Sequence, residues 1–205
     1  DGLFITEFGT EGTDPGQLLN PSGAAVGTDG RIYVSDHTND RVQAFEPIAV
    51  QSNAKAIVVA GGGPFPGNDI WDATQMNANF AYRALTYQGF TKDTIYYLTA
   101  DADLDLDDNG VLDDVDGDAT NANLEHAITT WAADADSLVV YLCDHGGDRL
   151  FRMSGTETLA AADLDAWLDT LQATIPGEVI VAYDACESGS FLADLVAPAG
   201  KDRIV

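Results

Sequence analysis

Basic residues are scarce in this 205-residue sequence. It contains 9 lysines and arginines against 34 aspartates and glutamates, which gives a formal net charge of −25. A protein of this charge repels the phosphates of nucleic acids and anionic membrane surfaces, so the sequence argues against both as partners. Such an acidic excess is typical of proteins that bind hard cations such as calcium, and of proteins whose acidic surface keeps them soluble. We expect both to contribute.

Long apolar runs are also missing. No stretch approaches the length of a membrane span, and the N-terminal Asp-Gly-Leu-Phe has no basic region before an apolar one. The sequence has no initiator methionine and stops at Arg203-Ile204-Val205, which resembles the opening of a strand. These features predict that both ends belong to a longer protein and that localisation signals lie outside the sequence.

Only two cysteines are present, Cys143 and Cys186. Two are too few for a disulfide framework, and both lie at the ends of apolar runs of the kind that form core strands. A single bridge between them is conceivable, but it would remove the more reactive role that the surroundings of Cys186 suggest. Cys143 lies inside its apolar run and is expected to be a small buried hydrophobic residue.

Residues 1–46 alternate turn residues with short β-type stretches. The motifs, in order, are Phe8–Gly12, Gly16-Gln17-Leu18, Pro21-Ser22-Gly23, Ile32–Asp36 and Asn39–Phe45. This pattern resembles one NHL repeat, the blade of a β-propeller. One blade cannot bury both of its faces, so the resemblance implies further blades before Asp1 and a propeller that binds other proteins.

Residues 47–54 are predicted to be a linker, and residues 55–205 change to an alternation of strands and helices. Predicted strands are 56–60, 94–98, 137–143 and 179–183, and predicted helices are 71–88, 121–133 and 162–173. The first helix carries Trp71, Met76, Phe80, Leu85 and Tyr87 among its apolar positions. Continuously apolar strands joined by helices predict an α/β fold, a three-layer αβα sandwich with a mostly parallel sheet.

Two of these strands end in residues suited to catalysis. The third strand leads into Asp144-His145-Gly146-Gly147, and the fourth leads into the segment 184–190, Asp-Ala-Cys-Glu-Ser-Gly-Ser. The carboxyl ends of parallel strands share one edge of the sheet, so His145 and Cys186 are expected to be neighbours. A cysteine can attack a carbonyl carbon while a histidine transfers the protons. The backbone N–H groups of Gly146 and Cys186 are the natural donors for an oxyanion hole.

These motifs resemble those of the caspase-like clan of cysteine peptidases. Asp-His-Gly with Ala-Cys-Glu-Ser-Gly-Ser is most similar to the legumain family, which includes asparaginyl endopeptidases and the catalytic subunit of glycosylphosphatidylinositol transamidase. The separation of His145 and Cys186 is close to the roughly 50 residues typical of caspases. The resemblance covers residues 55–205 and implies a caspase-like fold that is incomplete at the C-terminus.

The resemblance also implies roles for individual residues. Cys186 would be the nucleophile and His145 the general acid and base, with Asp184, Glu187 and Ser188 in contact with the substrate. In the legumain family an asparagine after the first strand assists the histidine; the nearest asparagine in this sequence is Asn68. The family cleaves after Asn or Asp, whereas an acidic pocket could equally prefer Arg or Lys.

A second motif fits the twelve-residue calcium loop. Residues 105–116 supply oxygen atoms at alternating positions and place Gly110 at the sharp turn. The predicted ligands are Asp105, Asp107, Asn109, the carbonyl of Val111, Asp113 and Asp116. Asp116 stands where a bidentate Glu is usual, which predicts a weaker or water-assisted site. Calcium would be structural, and the alternative is a solvated acidic loop.

The sequence therefore predicts a cysteine endopeptidase that hydrolyses peptide bonds in a protein or peptide substrate and needs no cofactor for catalysis. Two alternatives remain open: a transamidase that uses the same dyad, and a non-catalytic propeller and caspase-like scaffold that binds proteins. The calcium loop and the acidic surface favour an extracellular, periplasmic or cell-surface setting, where calcium is plentiful.

Overall fold

In the computed structural model, which describes residues 10–27, 31–45 and 53–205, every residue of the strand Ala54–Ala60 is buried. A strand without an exposed face must be covered on both sides. Its residues alternate between two apolar clusters: Ile57 and Val59 belong to one, and Ala56 and Val58 belong to the other. This strand is therefore the centre of a sheet that is covered on both faces.

The chain divides into two compact units, residues 1–49 and 50–205. The first unit contains β1 (Thr10–Glu11), β2 (Gln17–Leu18), β3 (Pro21–Val26), β4 (Ile32–Asp36) and β5 (Arg41–Phe45). The strands of the second unit are β6 (Ala54–Ala60), β7 (Ile95–Leu98), β8 (Ser137–Cys143), β9 (Gly146–Gly147), β10 (Leu150–Arg152), β11 (Thr158–Ala160), β12 (Val179–Asp184) and β13 (Arg203–Ile204). Its helices are α1 (Trp71–Tyr87), α2 (Asn121–His126), which continues as a π-helical turn over Ala127–Trp131, and α3 (Ala161–Gln172).

Five strands of the second unit form one parallel sheet in the order β13-β12-β8-β6-β7. Helix α1 packs on one face of this sheet, and α2 and α3 pack on the other. A small antiparallel sheet, β11-β10-β9, follows the end of β8. The predicted α/β fold with a parallel core sheet is confirmed, as is the antiparallel β segment at the N-terminus.

Helix α1 buries only part of the apolar set that its sequence suggests: Trp71 and Leu85 pack against the core, whereas Met76, Phe80 and Tyr87 are exposed. Thr74, Ala78 and Tyr82, spaced by one helical turn, are its buried residues. Met76 and Phe80 are 64% and 73% exposed. Small side chains at Thr74 and Ala78 let the helix approach the sheet closely, and Tyr82 supplies the apolar bulk. The large apolar residues on the other side therefore remain at the surface.

The first unit carries an antiparallel sheet in the order β3-β4-β5. A buried carboxylate, Asp36, organises it by accepting hydrogen bonds from the Leu19 N–H (2.7 Å) and from the side chains of Asn39 (2.8 Å), Arg41 (2.8 Å) and Gln43 (3.1 Å). Burial raises the pKa of Asp36, but these hydrogen bonds and the charge of Arg41 outweigh burial and lower it to about 2. Residues 1–9, 28–30 and 46 of the predicted blade and 47–52 of the predicted linker lie outside the described residues.

None of the helices in the described ranges has both the length and the apolar character that a bilayer crossing requires.

Candidate active site

The two predicted catalytic residues follow neighbouring strands of the parallel sheet. Asp184, the last residue of β12, lies beside Cys143, the last residue of β8. His145 and Cys186 each come two residues after this pair. Both therefore lie beyond the carboxyl edge of the sheet, which is where α/β folds bind ligands. The thiol of Cys186 is free and its residue is exposed.

The imidazole of His145 is held by the side chain of Asn68. His145 Nε2 lies 3.2 Å from Asn68 Oδ1, and Asn68 Nδ2 donates to the Gly63 carbonyl at 2.9 Å. Because the second bond requires the amide nitrogen to face Gly63, the amide oxygen must face His145. Nε2 therefore donates its proton to Asn68, and Nδ1 is left with a lone pair that can accept one.

Two glycines, Gly61 and Gly62, let the chain after β6 pass close to Arg152 and Asp144, on either side of His145. A Cβ atom on Gly61 would lie 2.2 Å from the Arg152 carbonyl oxygen, and one on Gly62 would lie 2.2 Å from Asp144 Oδ2. Gly62 also has a φ of 75°, which residues with side chains rarely adopt. This close passage leads the chain to Asn68, which is itself only 9% exposed.

Asp144 is a buried carboxylate directly before His145. It accepts hydrogen bonds from the His145 backbone N–H and, at 3.4 Å, from the Thr74 hydroxyl of α1. A buried carboxylate that is bonded to the backbone of its neighbour restricts that backbone. Asp144 therefore holds the start of the loop from which the imidazole projects.

Gly146 lies against the loop of Cys186. A Cβ atom at this position would come within 2.2 Å of the Cys186 carbonyl oxygen and 2.6 Å of the Tyr183 hydroxyl. Gly146 pairs with Phe151, while in the next pair Arg152 N–H donates to the His145 carbonyl at 3.0 Å. Antiparallel pairs alternate between bonded and non-bonded, so the Gly146 N–H points away from β10. The β9–β10 pair therefore does not use the Gly146 N–H.

The segment after Cys186 turns sharply. Glu187 has a left-handed φ of 56°, and residues Ser188–Phe191 form a 3₁₀ turn. Phe191 is buried, and its ring lies 4.3 Å from that of Tyr183. Burial, together with the charges of Cys186 and Glu187, raises the pKa of Tyr183 to about 12, so its hydroxyl stays protonated. The turn is thus anchored by an aromatic pair while Glu187 remains exposed.

One cleft is lined by His145, and another is lined by residues that come shortly before and after Cys186 in the sequence. The first, of about 180 Å³, is lined by His145 together with Gly146, Gly147, Leu150, Phe151, Arg152 and Thr158. The second, of about 210 Å³, includes the predicted substrate contact Ser188 and Tyr183 in its lining. Clefts of these sizes hold single side chains rather than large ligands.

Asp184, a predicted substrate contact, makes two contacts with β8. Its carboxylate accepts a hydrogen bond from the Tyr141 hydroxyl at 3.0 Å and lies 3.8 Å from Cys143 Sγ. Burial raises the pKa of the Cys143 thiol, and the nearby carboxylates of Asp184 and Asp144 raise it further. Cys143 is therefore a poor nucleophile, in contrast to the exposed Cys186.

The acidic loop brings together three carboxylates. One oxygen each from Asp105, Asp107 and Asp114 lies within 4.8 Å of the others. Asn109 donates to Asp107 Oδ2 and accepts from the Val111 N–H, which shapes the turn. Oxygen donors of this kind suit hard cations such as calcium.

Asp116 and Asp113, two of the predicted ligands, are not among these three carboxylates. The two oxygens of Asp116 bind the Lys92 ammonium group (2.9 Å) and the Tyr97 N–H (2.8 Å). Asp114 was absent from the predicted ligands because the loop template assigns its neighbour Asp113 to the ninth position. The sequence of the loop gives little indication of Asp114, because the residue that fixes its position lies on a helix distant in sequence.

That partner is Tyr82 of α1. The fully buried Asp114 accepts hydrogen bonds from the Tyr82 hydroxyl and from the N–H groups of Leu106 and Asp107, the last at 3.1 Å. Burial and then the adjacent Asp114 raise the pKa of Tyr82 well above its ordinary range. The hydroxyl therefore remains a donor, and Asp114 is held towards the other two carboxylates.

Comparison with curated proteins gives matches to the N-terminal part of the chain. E3 ubiquitin-protein ligase TRIM71 is 58% identical in Rattus norvegicus and 62% identical in Xenopus tropicalis, in each case over 46 residues, 22% of this chain. The chain spans 5% of the rat protein and 6% of the frog protein, so the similarity concerns one small segment.

Comparison with protein families gives two matches along the chain. Residues 18–45 match the model of the NHL repeat, and residues 111–200 match that of the Peptidase C13 family. The second range includes both His145 and Cys186, whereas Asn68 and α1 precede it. Residues 111–200 are thus similar to the Peptidase C13 family, the legumain family of the caspase-like clan, and residues 18–45 of the same chain are similar to the NHL repeat.

Proposed function

We propose that the chain acts as a cysteine peptidase of the Peptidase C13 type, with Cys186 as nucleophile and His145 as general acid and base. The pairing of β8 with β12 carries the proposal. Asp184 lies beside Cys143, so the nucleophile and the base follow at equal distances on neighbouring loops. Acyl transfer requires a nucleophile and a base close to each other at an accessible edge of the sheet, and a third group that orients the base. Asn68 is that third group.

In the first step His145 accepts the proton of Cys186 Sγ at Nδ1, because Nε2 is engaged by Asn68. The thiolate attacks the carbonyl carbon of the peptide bond, a carbon–sulfur bond forms, and the π electrons move to the carbonyl oxygen. Asn68 acts only through the imidazole. Its amide oxygen holds the Nε2 proton and stabilises the positive ring.

The oxygen anion formed in this step is proposed to bind the N–H groups of Gly146 and Cys186. The alternation of pairs along β9 and β10 supports the first donor, since the Gly146 N–H is turned away from β10. Removing one oxyanion donor in other enzymes lowers kcat by about 100- to 1,000-fold.

Collapse of the tetrahedral species breaks the carbon–nitrogen bond, and the imidazolium of His145 gives its proton to the departing amine. The acyl group stays on Sγ as a thioester. Water that loses a proton to His145 then hydrolyses the thioester and regenerates the thiol. An amine in place of water gives transamidation by the same sequence of steps, so the proposal covers both outcomes.

Asp184, Glu187 and Ser188 are proposed to contact the substrate residue before the scissile bond. Asp184 and Glu187 are exposed carboxylates on either side of Cys186, and Ser188 lines the adjacent cleft. By charge they favour Lys or Arg, whereas the resemblance to legumains implies Asn or Asp. Probes that differ only in this residue distinguish the two preferences.

The test uses acyloxymethyl-ketone probes that carry Asn, Asp, Arg or Lys next to the reactive group. We expect covalent labelling of the wild-type chain, loss of labelling in Cys186→Ala, and strongly reduced labelling in His145→Ala. Cys143→Ala should label like the wild type, because Cys143 is buried. Labelling that persists in Cys186→Ala, or no labelling of a folded protein by any probe, would contradict the proposal.

We also propose that the loop at residues 105–116 binds calcium through Asp105, Asp107 and Asp114, and that the ion supports the loop without taking part in the reaction. Three carboxylates within 4.8 Å repel one another unless a cation lies near them, which supports the proposal. A loop supported by calcium fits the proposed extracellular, periplasmic or cell-surface setting.

The NHL repeat supports a second function, the binding of a protein partner. Residues 18–45 match this repeat, and propeller blades commonly present binding surfaces. A peptidase segment and a protein-binding repeat in one chain are compatible, since the repeat could recruit substrates. If the probes fail to label a folded protein, binding without catalysis becomes the better account.

A further inference from the structure

A second set of contacts joins the loop of His145 to the loop of Cys186. We call residues 144–150 the His loop and residues 185–194 the Cys loop. Three residues outside the predicted catalytic set link them: Arg149 of the His loop, and Ser190 and Asp194 of the Cys loop. Arg149 follows His145 by four residues, and Ser190 follows Cys186 by four.

Ser190 connects the two loops through its hydroxyl group. Its Oγ accepts a hydrogen bond from the Arg149 backbone N–H at 2.8 Å and lies 3.5 Å from the Gly147 carbonyl oxygen. The two backbone groups belong to the tight turn between β9 and β10. One hydroxyl on the Cys loop is therefore fixed to both sides of the turn that follows His145.

The side chain of Arg149 makes the second link. Its guanidinium group forms an ion pair with Asp194 Oδ1, and the Asp194 side chain is only 14% exposed. The other oxygen, Asp194 Oδ2, is buried and has no hydrogen-bond partner within the described part of the chain. Asp194 consequently relies on Arg149, because a buried carboxylate without a cation is costly.

The backbone conformation of Arg149 also depends on its contacts with the Cys loop. Arg149 has a φ of 56°, a left-handed conformation that favours glycine or asparagine in tight turns. An arginine in this conformation is strained unless its contacts compensate. Its N–H and its guanidinium group both bind the Cys loop, and the second contact, which glycine cannot make, accounts for arginine at this position.

We propose that Ser190 and Asp194, through Arg149, clamp the His loop to the Cys loop and so keep the imidazole of His145 within reach of Cys186 Sγ. This inference rests on the proposed dyad. The three residues are positioning residues and do not touch the substrate. All three residues of the clamp come after the last pair of β8 and β12, in which Cys143 lies beside Asp184. The clamp therefore joins loops beyond the carboxyl edge of the sheet.

The experiment measures alkylation of Cys186 by iodoacetamide at about pH 6 and about pH 9, because a base placed to accept the thiol proton raises the rate at the lower pH relative to the rate at the higher pH. The ratio of the two rates needs no substrate. Cys186→Ala gives the background, His145→Ala gives the ratio without a base, and circular dichroism with thermal unfolding confirms that each variant is folded.

We expect Ser190→Ala and Asp194→Asn to lower the ratio of the pH 6 rate to the pH 9 rate about tenfold, towards that of His145→Ala, because small displacements of paired groups are costly. Ser190→Thr keeps a hydroxyl and should restore the ratio. Ser137→Ala, which removes a hydroxyl at the opposite end of β8, is the matched control and should leave it unchanged. If Ser190→Ala does not fold, Arg149→Asn carries the test, since asparagine tolerates the left-handed turn but cannot form the ion pair.

Two contrary results are distinguishable. If His145→Ala lowers the ratio but Ser190→Ala, Asp194→Asn and Arg149→Asn leave it at the wild-type value, the clamp is overturned and the dyad stands. If the wild type and His145→Ala give the same ratio, the proposed dyad fails and the clamp fails with it. A reduction in Ser190→Ala that Ser190→Thr does not restore also counts against the hydroxyl contact.

Discussion

Asn68 and His145 are 77 residues apart in sequence, yet the amide oxygen of one lies 3.2 Å from Nε2 of the other. The contact exists because the chain leaves β6 through three glycines and passes close to Asp144 before it reaches Asn68. Asn68 lies before residues 111–200, which match the Peptidase C13 family. The site therefore combines residues from inside and outside the matched range.

Replacing Asn68 tests whether this contact orients the base. We expect Asn68→Ala to lower the rate of labelling by an acyloxymethyl-ketone probe about 10- to 100-fold, because the imidazole loses the acceptor that fixes its tautomer. Asn68→Asp keeps an oxygen acceptor and should retain more of the rate. Equal rates for the wild type and Asn68→Ala would show that the contact has no role in reactivity.

Adjacent glycines provide a test of the close approach between the two loops. Gly146→Ala should abolish labelling, because the new Cβ would lie 2.2 Å from the Cys186 carbonyl oxygen and would force the loops apart. Gly147→Ala is the matched control, since a Cβ atom there meets no atom of the described residues within 4 Å. We expect it to keep most of the wild-type rate. Similar losses in both variants would indicate a general effect on the β9–β10 turn and contradict the close approach of Gly146 to the Cys loop.

Local sequence patterns were sufficient to predict most of the second unit. The apolar runs at 137–143 and 179–183 correspond closely to β8 and β12, whose parallel pairing brings the segments after them to one edge. The expectation that His145 and Cys186 lie at the same carboxyl edge of the sheet follows from the parallel pairing of β8 and β12 alone. Their catalytic roles stay a prediction until they are tested chemically.

The features that sequence analysis missed all depend on residues far apart in the chain. Tyr82 selects Asp114 rather than Asp113, and Asp194 pairs with Arg149 across 45 positions. The spacing of apolar and polar residues along a segment cannot predict contacts between residues so far apart in sequence. The buried face of α1 was predicted only in part: Trp71 and Leu85 pack against the core, but small residues also face the sheet, while residues as large as Phe80 stay outside.

The contact between Tyr82 and Asp114 predicts that the proposed calcium binding depends on α1. Tyr82→Phe removes a hydrogen bond to a buried carboxylate, which should destabilise the folded chain by about 1–3 kcal/mol. We also expect a smaller rise in Tm on addition of calcium, because Asp114 is no longer held towards Asp105 and Asp107. Thermal unfolding with calcium and with a chelator measures both effects. Tyr87→Phe, on the same helix but 89% exposed, is the control and should behave like the wild type.

Asp36 makes a specific prediction for the pH dependence of the NHL repeat. Its pKa in the folded unit is lowered to about 2 from an ordinary value of 3.8, so the carboxylate remains charged at pH values where an unfolded chain already takes up a proton. The stability that Asp36 contributes is therefore complete above about pH 4 and is lost as the pH falls through about 2.

The Leu19 amide reports this titration directly, since its N–H donates to Asp36 Oδ1 at 2.7 Å. We expect the chemical shift of this amide in NMR spectra to change with a midpoint of about 2, and Asp36→Asn to remove the change. Asp36→Asn should also speed hydrogen exchange at Leu19, because a neutral amide is a weaker acceptor than a carboxylate. A midpoint near 3.8 would mean that the bonds from Asn39 and Arg41 do not stabilise the charged form.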